Sequence, residues 1–177
     1  MSTLVLTVIG EDRPGLVQAL ADAVASHAGN WERSQLAHLA GTFAGIVVVE
    51  VPDDRADGLR AALDALAGVL HVGVHAAPGS PGAAAAAATE ATATRVVTLD
   101  LLGNDRPGIV KELSGVFTRH GLSIDELTTD TRDAPMAGGR LFEAHIVATG
   151  TADTDAVRDD LERLASELMV DIDLDTP

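Results

Sequence analysis

Two nearly identical hexapeptides dictate how this chain must be read. "GEDRPG" runs from Gly10 to Gly15 and "GNDRPG" from Gly103 to Gly108, in register 93 residues apart. A motif written twice at a fixed offset points to one structural unit built twice. At the same offset Leu4, Leu6 and Val8 fall on Val97, Leu99 and Leu101, alternate residues that share one face of a strand. The other face, Thr3, Val5 and Thr7 against Val96, Thr98 and Asp100, is more polar. That alternation predicts a sheet packed under helices on one side and partly open on the other.

Each motif leads into a helical stripe. Leu16, Val17, Leu20 and Val24 correspond to Ile109, Val110, Leu113 and Phe117. The helices run into "HAGNW" and "HGLSI", where glycine permits the left-handed turn that ends a helix. Trp31 to Leu39 and Phe43 to Val51 then read as a hairpin turning at Gly41 and Thr42, and Leu122 to Arg132 and Leu141 to Thr149 as a second, joined by the looser "DAPMAGG". A further helix follows in each half, carried by Leu59, Leu63 and Leu66 and by Val157, Leu161, Leu164 and Leu168. Val69 to Ala76 and Val170 to Leu174 close the two halves as short strands. The fold class is therefore α+β, with two ferredoxin-like βαββαβ units, each a four-stranded antiparallel sheet with two helices on one face. The expected domains are residues 1–77 and 95–177, joined by a Pro/Gly/Ala-rich linker over 78–94.

The chemistry of "DRPG" is that of a helix start. Pro14 and Pro107 suit the first helical position, and Arg13 and Arg106, preceding proline, are pushed toward extended backbone. Gly15 and Gly108 leave no side chain where a bound group would approach. The free N–H groups of Gly15 and Leu16, or of Gly108 and Ile109, then face outward at the positive end of the helix dipole and favour a carboxylate. Asp12 and Asp105 stand ready for a cationic group of the same ligand, and Arg13 and Arg106 add positive charge. An α-amino acid offers both groups. The alternative reading is a plain strand-to-helix turn capped by aspartate, which a duplicated fold would also duplicate.

Charge and composition exclude much else. With 12 basic against 27 acidic residues the net charge is -15, so direct contact with nucleic acid or an anionic membrane is disfavoured. There is no cysteine to supply a disulfide, a thiolate metal site or a nucleophile. The first ten residues lack the features of a signal peptide, and the longest apolar run elsewhere is six alanines, so a soluble cytoplasmic protein is expected. No phosphate loop, dinucleotide fingerprint or nucleophile elbow occurs, and neither a cofactor nor catalysis is indicated. His71 and His75 are four apart on a predicted strand, roughly 13 Å, too far to share a metal ion. His27 and His120 align as helix-ending residues, and Trp31, the only tryptophan, is expected over the helix–sheet edge or at an interface between units. The few aromatics, Trp31, Phe43, Phe117 and Phe142, do not make an RNA-stacking platform.

The segments "LTVIGEDRPGLVQALADAVASHAGNW" and "LDLLGNDRPGIVKELSGVFTRHGLSI" resemble the start of an ACT domain, a βαββαβ regulatory module that binds amino acids. Two such units with no attached catalytic or helix-turn-helix domain, together with "LAGTFAGIVVVEVP" and "GGRLFEAHIVA", resemble the glycine cleavage system transcriptional repressor family. The resemblance implies ligands held between the strand-to-helix loop of one unit and a neighbouring unit. It places Asp12, Arg13, Pro14, Gly15 and Leu16 in one candidate site and Asn104, Asp105, Arg106, Pro107, Gly108 and Ile109 in the other. Asn30 would face the loop across a unit interface. The implied ligand is a small amino acid, with glycine a candidate, and the implied partner is a protein such as a DNA-binding regulator, with homo-oligomers expected. The competing readings are an ACT-type interaction module without a ligand and a separate regulatory subunit of an amino-acid-metabolism enzyme. Glu11 in the first loop, where the second has Asn104, adds a carboxylate that favours the second loop as receptor.

Overall fold

The computed structural model describes residues 1–77, 95–134 and 139–175. The proposed linker over 78–94 and most of the "APMA" loop tip lie outside them. The chain divides into two units, Met1–Ala88 and Thr89–Pro177. In the first, β1 (Ser2–Glu11) leads to α1 (Leu16–Ser26), the hairpin β2 (Asn30–Leu39) and β3 (Thr42–Val51), α2 (Ala56–Asp64) and β4 (His71–Ala76). The second repeats this with β5 (Arg95–Asn104), α3 (Ile109–Arg119), β6 (Leu122–Asp133), β7 (Arg140–Gly150), α4 (Thr154–Leu168) and β8 (Val170–Asp175). Each unit has one antiparallel four-stranded sheet, ordered β2-β3-β1-β4 and β6-β7-β5-β8. The hairpin and the closing strand thus flank the strand that carries the motif.

The strand alternation does what the sequence predicts. Leu4, Leu6 and Val8 are buried with Val47, Val49 and Val51 under Leu16, Leu20 and Val24 of α1 and Leu59 and Leu63 of α2. Val97, Leu99 and Leu101 are buried in the same way with Ile146, Leu113, Phe117, Val157 and Leu161. Every fully buried side chain of both cores is apolar, so the driving force is burial of hydrocarbon at about 25 cal/mol per Å². Trp31 is half-buried against the first core. His71 and His75 are exposed on β4, on the open side of the sheet.

Two local expectations need correcting. The left-handed residue that ends α1 is Ala28, with φ 56°, and not the glycine beside it. Gly29 is small for a different reason, since a Cβ there would lie 2.9 Å from a methyl of Val24. In the second unit the glycine does hold the turn, Gly121 with φ 67°. Pro14 and Pro107 do not occupy the first helical position, because Gly15 and Gly108 come between proline and helix as left-handed N-caps with φ 96° and 99°. Those angles, with ψ near zero, are the third position of a type II turn, for which a preceding proline is the favoured second residue. The open face of the first sheet is mixed, as the threonines suggest: Thr7, His71 and His75 are exposed there beside Ile9 and Ile46, each about half exposed.

Candidate functional site

Both DRPG loops are built by backbone first. The N–H of Asp12 donates to the Gly41 carbonyl at 3.0 Å and that of Asp105 to the Arg140 carbonyl at 2.8 Å, so each loop is tied to the hairpin beside its sheet. The first glycine of each hexapeptide packs the opposite side: a Cβ on Gly10 would lie 2.9 Å from the Val69 carbonyl, and one on Gly103 only 2.1 Å from a methyl of Val170. The hexapeptide therefore begins where the chain entering the last strand crosses close. It ends where the backbone must turn left-handed.

The helix starts are open. Within α1 the first return bond is Ala19 N–H to the Gly15 carbonyl at 2.9 Å, and in α3 it is Glu112 N–H to the Gly108 carbonyl at 3.0 Å. The N–H groups of Leu16, Val17 and Gln18, and of Ile109, Val110 and Lys111, precede those bonds and have no acceptor within the helix. Neither start has a side-chain cap, whereas α4 is capped by the Asp153 carboxylate accepting from Asp155 N–H at 3.1 Å. The side chains of Leu16 and Ile109 belong to the core, so only their backbone can serve a ligand. Nothing lies within 4 Å of a Cβ built on Gly15, so it is the left-handed backbone and not a close neighbour that calls for glycine there.

The charged residues treat the two loops differently. Asp12 lies 3.6 Å from His38 Nε2, and the Arg13 guanidinium donates to the Gly68 carbonyl at 3.3 Å. Arg106 instead folds onto its own helix and pairs with Glu112 at 2.8 Å. The other oxygen of Glu112 is 3.8 Å from a Cβ built on Gly108, so a carboxylate already stands at the second helix start. The first unit has Ala19 at the aligned position. Glu112 thus offsets the advantage that Asn104 gives the second loop over Glu11. Asn30 opens β2 opposite Glu50, eight residues along β3 from Thr42 and the loop end. At about 3.3 Å per residue that is roughly 26 Å, so Asn30 is not brought to the loop of its own unit.

One constellation was not visible in the sequence. His120, at the end of α3, reaches Asp160 of α4 with Nε2 at 3.0 Å from the carboxylate, and Arg163 adds a contact at 2.8 Å. The hydrogen bond from His120, and then Arg163, hold the Asp160 carboxyl below its ordinary range against the opposing effect of burial. Its sequence partner His27 instead contacts the Ala23 carbonyl of its own helix through Nδ1 at 2.9 Å. The alignment of the two histidines signalled the helix ends but could not signal α4, which packs on α3 only through the tertiary fold. Among the described residues no group of three metal-ligating side chains converges, and no helix is long and apolar enough to cross a membrane.

Two ferredoxin-like units, each with a glycine-capped helix start behind a DRPG turn, define an ACT-domain architecture. Residues 2–76 match one model of the ACT domain and residues 97–166 another, and the chain belongs to the ACT-domain family, with two such domains in tandem. It is 26% identical over 160 residues to the glycine cleavage system transcriptional repressor of Escherichia coli (strain K12), across 86% of this chain and 77% of that one. A crystal structure of an unknown protein from Galdieria sulphuraria has a TM-score of 0.83 and 29% identity, covering 99% of this chain and 98% of that one. Another, assigned provisionally as a glycine cleavage system transcriptional repressor, has a TM-score of 0.66 at 16% identity over 99% of this chain and 97% of that one. This last likeness is one of fold. The protein is thus an ACT-domain regulatory protein related at low identity to a repressor.

Proposed function

We propose that the protein responds to a small amino acid, glycine being the first candidate, and regulates transcription of glycine and one-carbon metabolism through a protein partner rather than by catalysis. The observation that carries the ligand reading is the uncapped start of α1 behind Gly15, with three backbone N–H groups free of helical acceptors and open space beside the Gly15 Cα. A ligand carboxylate satisfies those donors and meets the positive end of the helix dipole. Asp12 supplies the opposite charge for an ammonium. The net charge of -15 disfavours direct contact with DNA, so the route to a promoter runs through another protein. The repressor relative supports the regulatory role.

The test is thermal stability of the whole chain against a panel of free amino acids that includes glycine and serine. A ligand present at 100 times its dissociation constant adds about 2.7 kcal/mol to the state that binds it. Val17→Asp supplies the control. Val17 is exposed in the first turn of α1, where a carboxylate gains about 0.3–1 kcal/mol from the dipole. That variant is expected to be slightly more stable and to lose the ligand response. No shift with any amino acid, or an undiminished shift in Val17→Asp, overturns the reading of the first loop.

A further inference from the structure

The two sheets share strand order and register, yet their open faces have diverged in charge. On the second sheet Asp173 of β8 lies directly opposite Asp100 of β5, and Asp130 of β6 directly opposite Glu143 of β7. Asp171 of β8 sits one step away, opposite Leu102. The corresponding pairs of the first sheet are Gly73 with Thr7 and Ala37 with Ala44, without a carboxylate. Like charges directly opposite destabilise a sheet. Neighbouring groups answer them only in part, through a hydrogen bond of 2.7 Å between His145 Nδ1 and Asp100 and through Arg132 paired with Glu143. The same carboxylates surround a groove of about 470 Å³ whose lining also includes Thr128, Thr129 and the partly exposed Leu102.

We propose that this face of the second domain is the docking surface for a cationic protein segment that also carries apolar side chains. The proposal deepens the reading that the protein acts through a protein partner, and rests on it. The groove supplies hydrocarbon to bury, and the carboxylates select and steer a positive partner. Docking also relieves the repulsion within the Asp100–Asp173 and Asp130–Glu143 pairs. A second copy of this chain is a poor occupant, because a two-fold interface through this face would set each carboxylate cluster against its own image.

The experiment uses the full chain and three short synthetic peptides, alternating Lys with Val, Lys with Ser, and Glu with Val, followed by fluorescence anisotropy. The Lys–Val peptide is expected to bind, the Lys–Ser peptide more weakly, and the Glu–Val peptide not at all. Neutralising the frustrated pair, Asp100→Asn with Asp173→Asn, is expected to weaken Lys–Val binding about tenfold while raising the melting temperature, since the repulsion goes with the charges. Removing two charges elsewhere, Asp159→Asn with Glu162→Gln on the exposed side of α4, should leave the affinity within about twofold if docking is local rather than a long-range charge effect. Equal losses in the two double variants, equal binding of the Lys–Ser peptide, or a fall in stability of the Asp100/Asp173 variant each overturn the proposal. The amino-acid response is measured on the same samples. If it persists while peptide docking fails, this surface is wrong and the sensing reading stands; if it fails while docking holds, the reverse follows.

Discussion

Replacing Ala28 with glycine should stabilise the first domain. Ala28 ends α1 in the left-handed region at φ 56°, where an L-residue with a Cβ is strained by roughly 1–2 kcal/mol. Glycine removes that strain but gains freedom in the unfolded chain worth about 0.4–1 kcal/mol. The difference leaves a net stabilisation of about 0.5–1 kcal/mol. For a domain of this size that corresponds to roughly 2–8 °C in melting temperature. The aligned position tests the same logic in reverse. Gly121 has φ 67° and nothing within 4 Å of a Cβ built on it, so Gly121→Ala meets no steric obstacle and should lose a similar amount from the backbone alone. Both variants are read by urea titration and thermal melting of the whole chain, followed by resolved resonances in each domain. A neutral or destabilising Ala28→Gly together with a neutral Gly121→Ala would refute the strain argument.

Other expectations follow from the same geometry. Asp153→Ala removes the side-chain cap of α4 and should cost about 1 kcal/mol in a urea titration; a loss within error would show that the cap is idle. Leu20→Ala empties a fully buried position of the first core and should cost about 2–5 kcal/mol, with a loss below about 1 kcal/mol contradicting the packing. The hydrogen bond from His120 depresses the Asp160 carboxyl, so its stabilising contribution is full above the ordinary carboxylate range and is lost as pH falls through the lowered value. Asp160→Asn should therefore flatten the acid limb of the stability profile of the second domain, and an unchanged limb would refute that assignment.

The fold was legible because its signals were local and doubled. Leu4, Leu6 and Val8 and their counterparts revealed the buried face of each central strand, and Pro, Gly and the helical stripe located α1 and α3. The misreadings came where conformation or neighbours decide. Ala28 holds a left-handed turn without being glycine, since the chain between α1 and β2 requires that φ whatever residue is there. Proline and glycine in DRPG marked a helix start correctly, but only the backbone angles show that the glycine is the cap and the proline belongs to the turn. At the site, the contrast of Glu11 with Asn104 was written in the sequence. The placement of Glu112 over the second helix start depends on the direction its side chain takes, and the bond between His120 and Asp160 depends on α3 packing against α4. The acidic face of the second sheet needed the register of β8, which pairs residues that are about seventy apart in the chain, a separation no local pattern encodes.

The central claim is that an amino acid binds at a helix start behind a DRPG turn, and backbone amide chemical shifts report it most directly. On titration with glycine, and then with the other amino acids, the account predicts saturable shifts concentrated at Gly15, Leu16, Val17 and Gln18. Smaller effects are predicted at Gly108 to Lys111, where Glu112 already stands. Shifts that saturate elsewhere in the domains while these amides stay still, or no saturable shift at all, would contradict it.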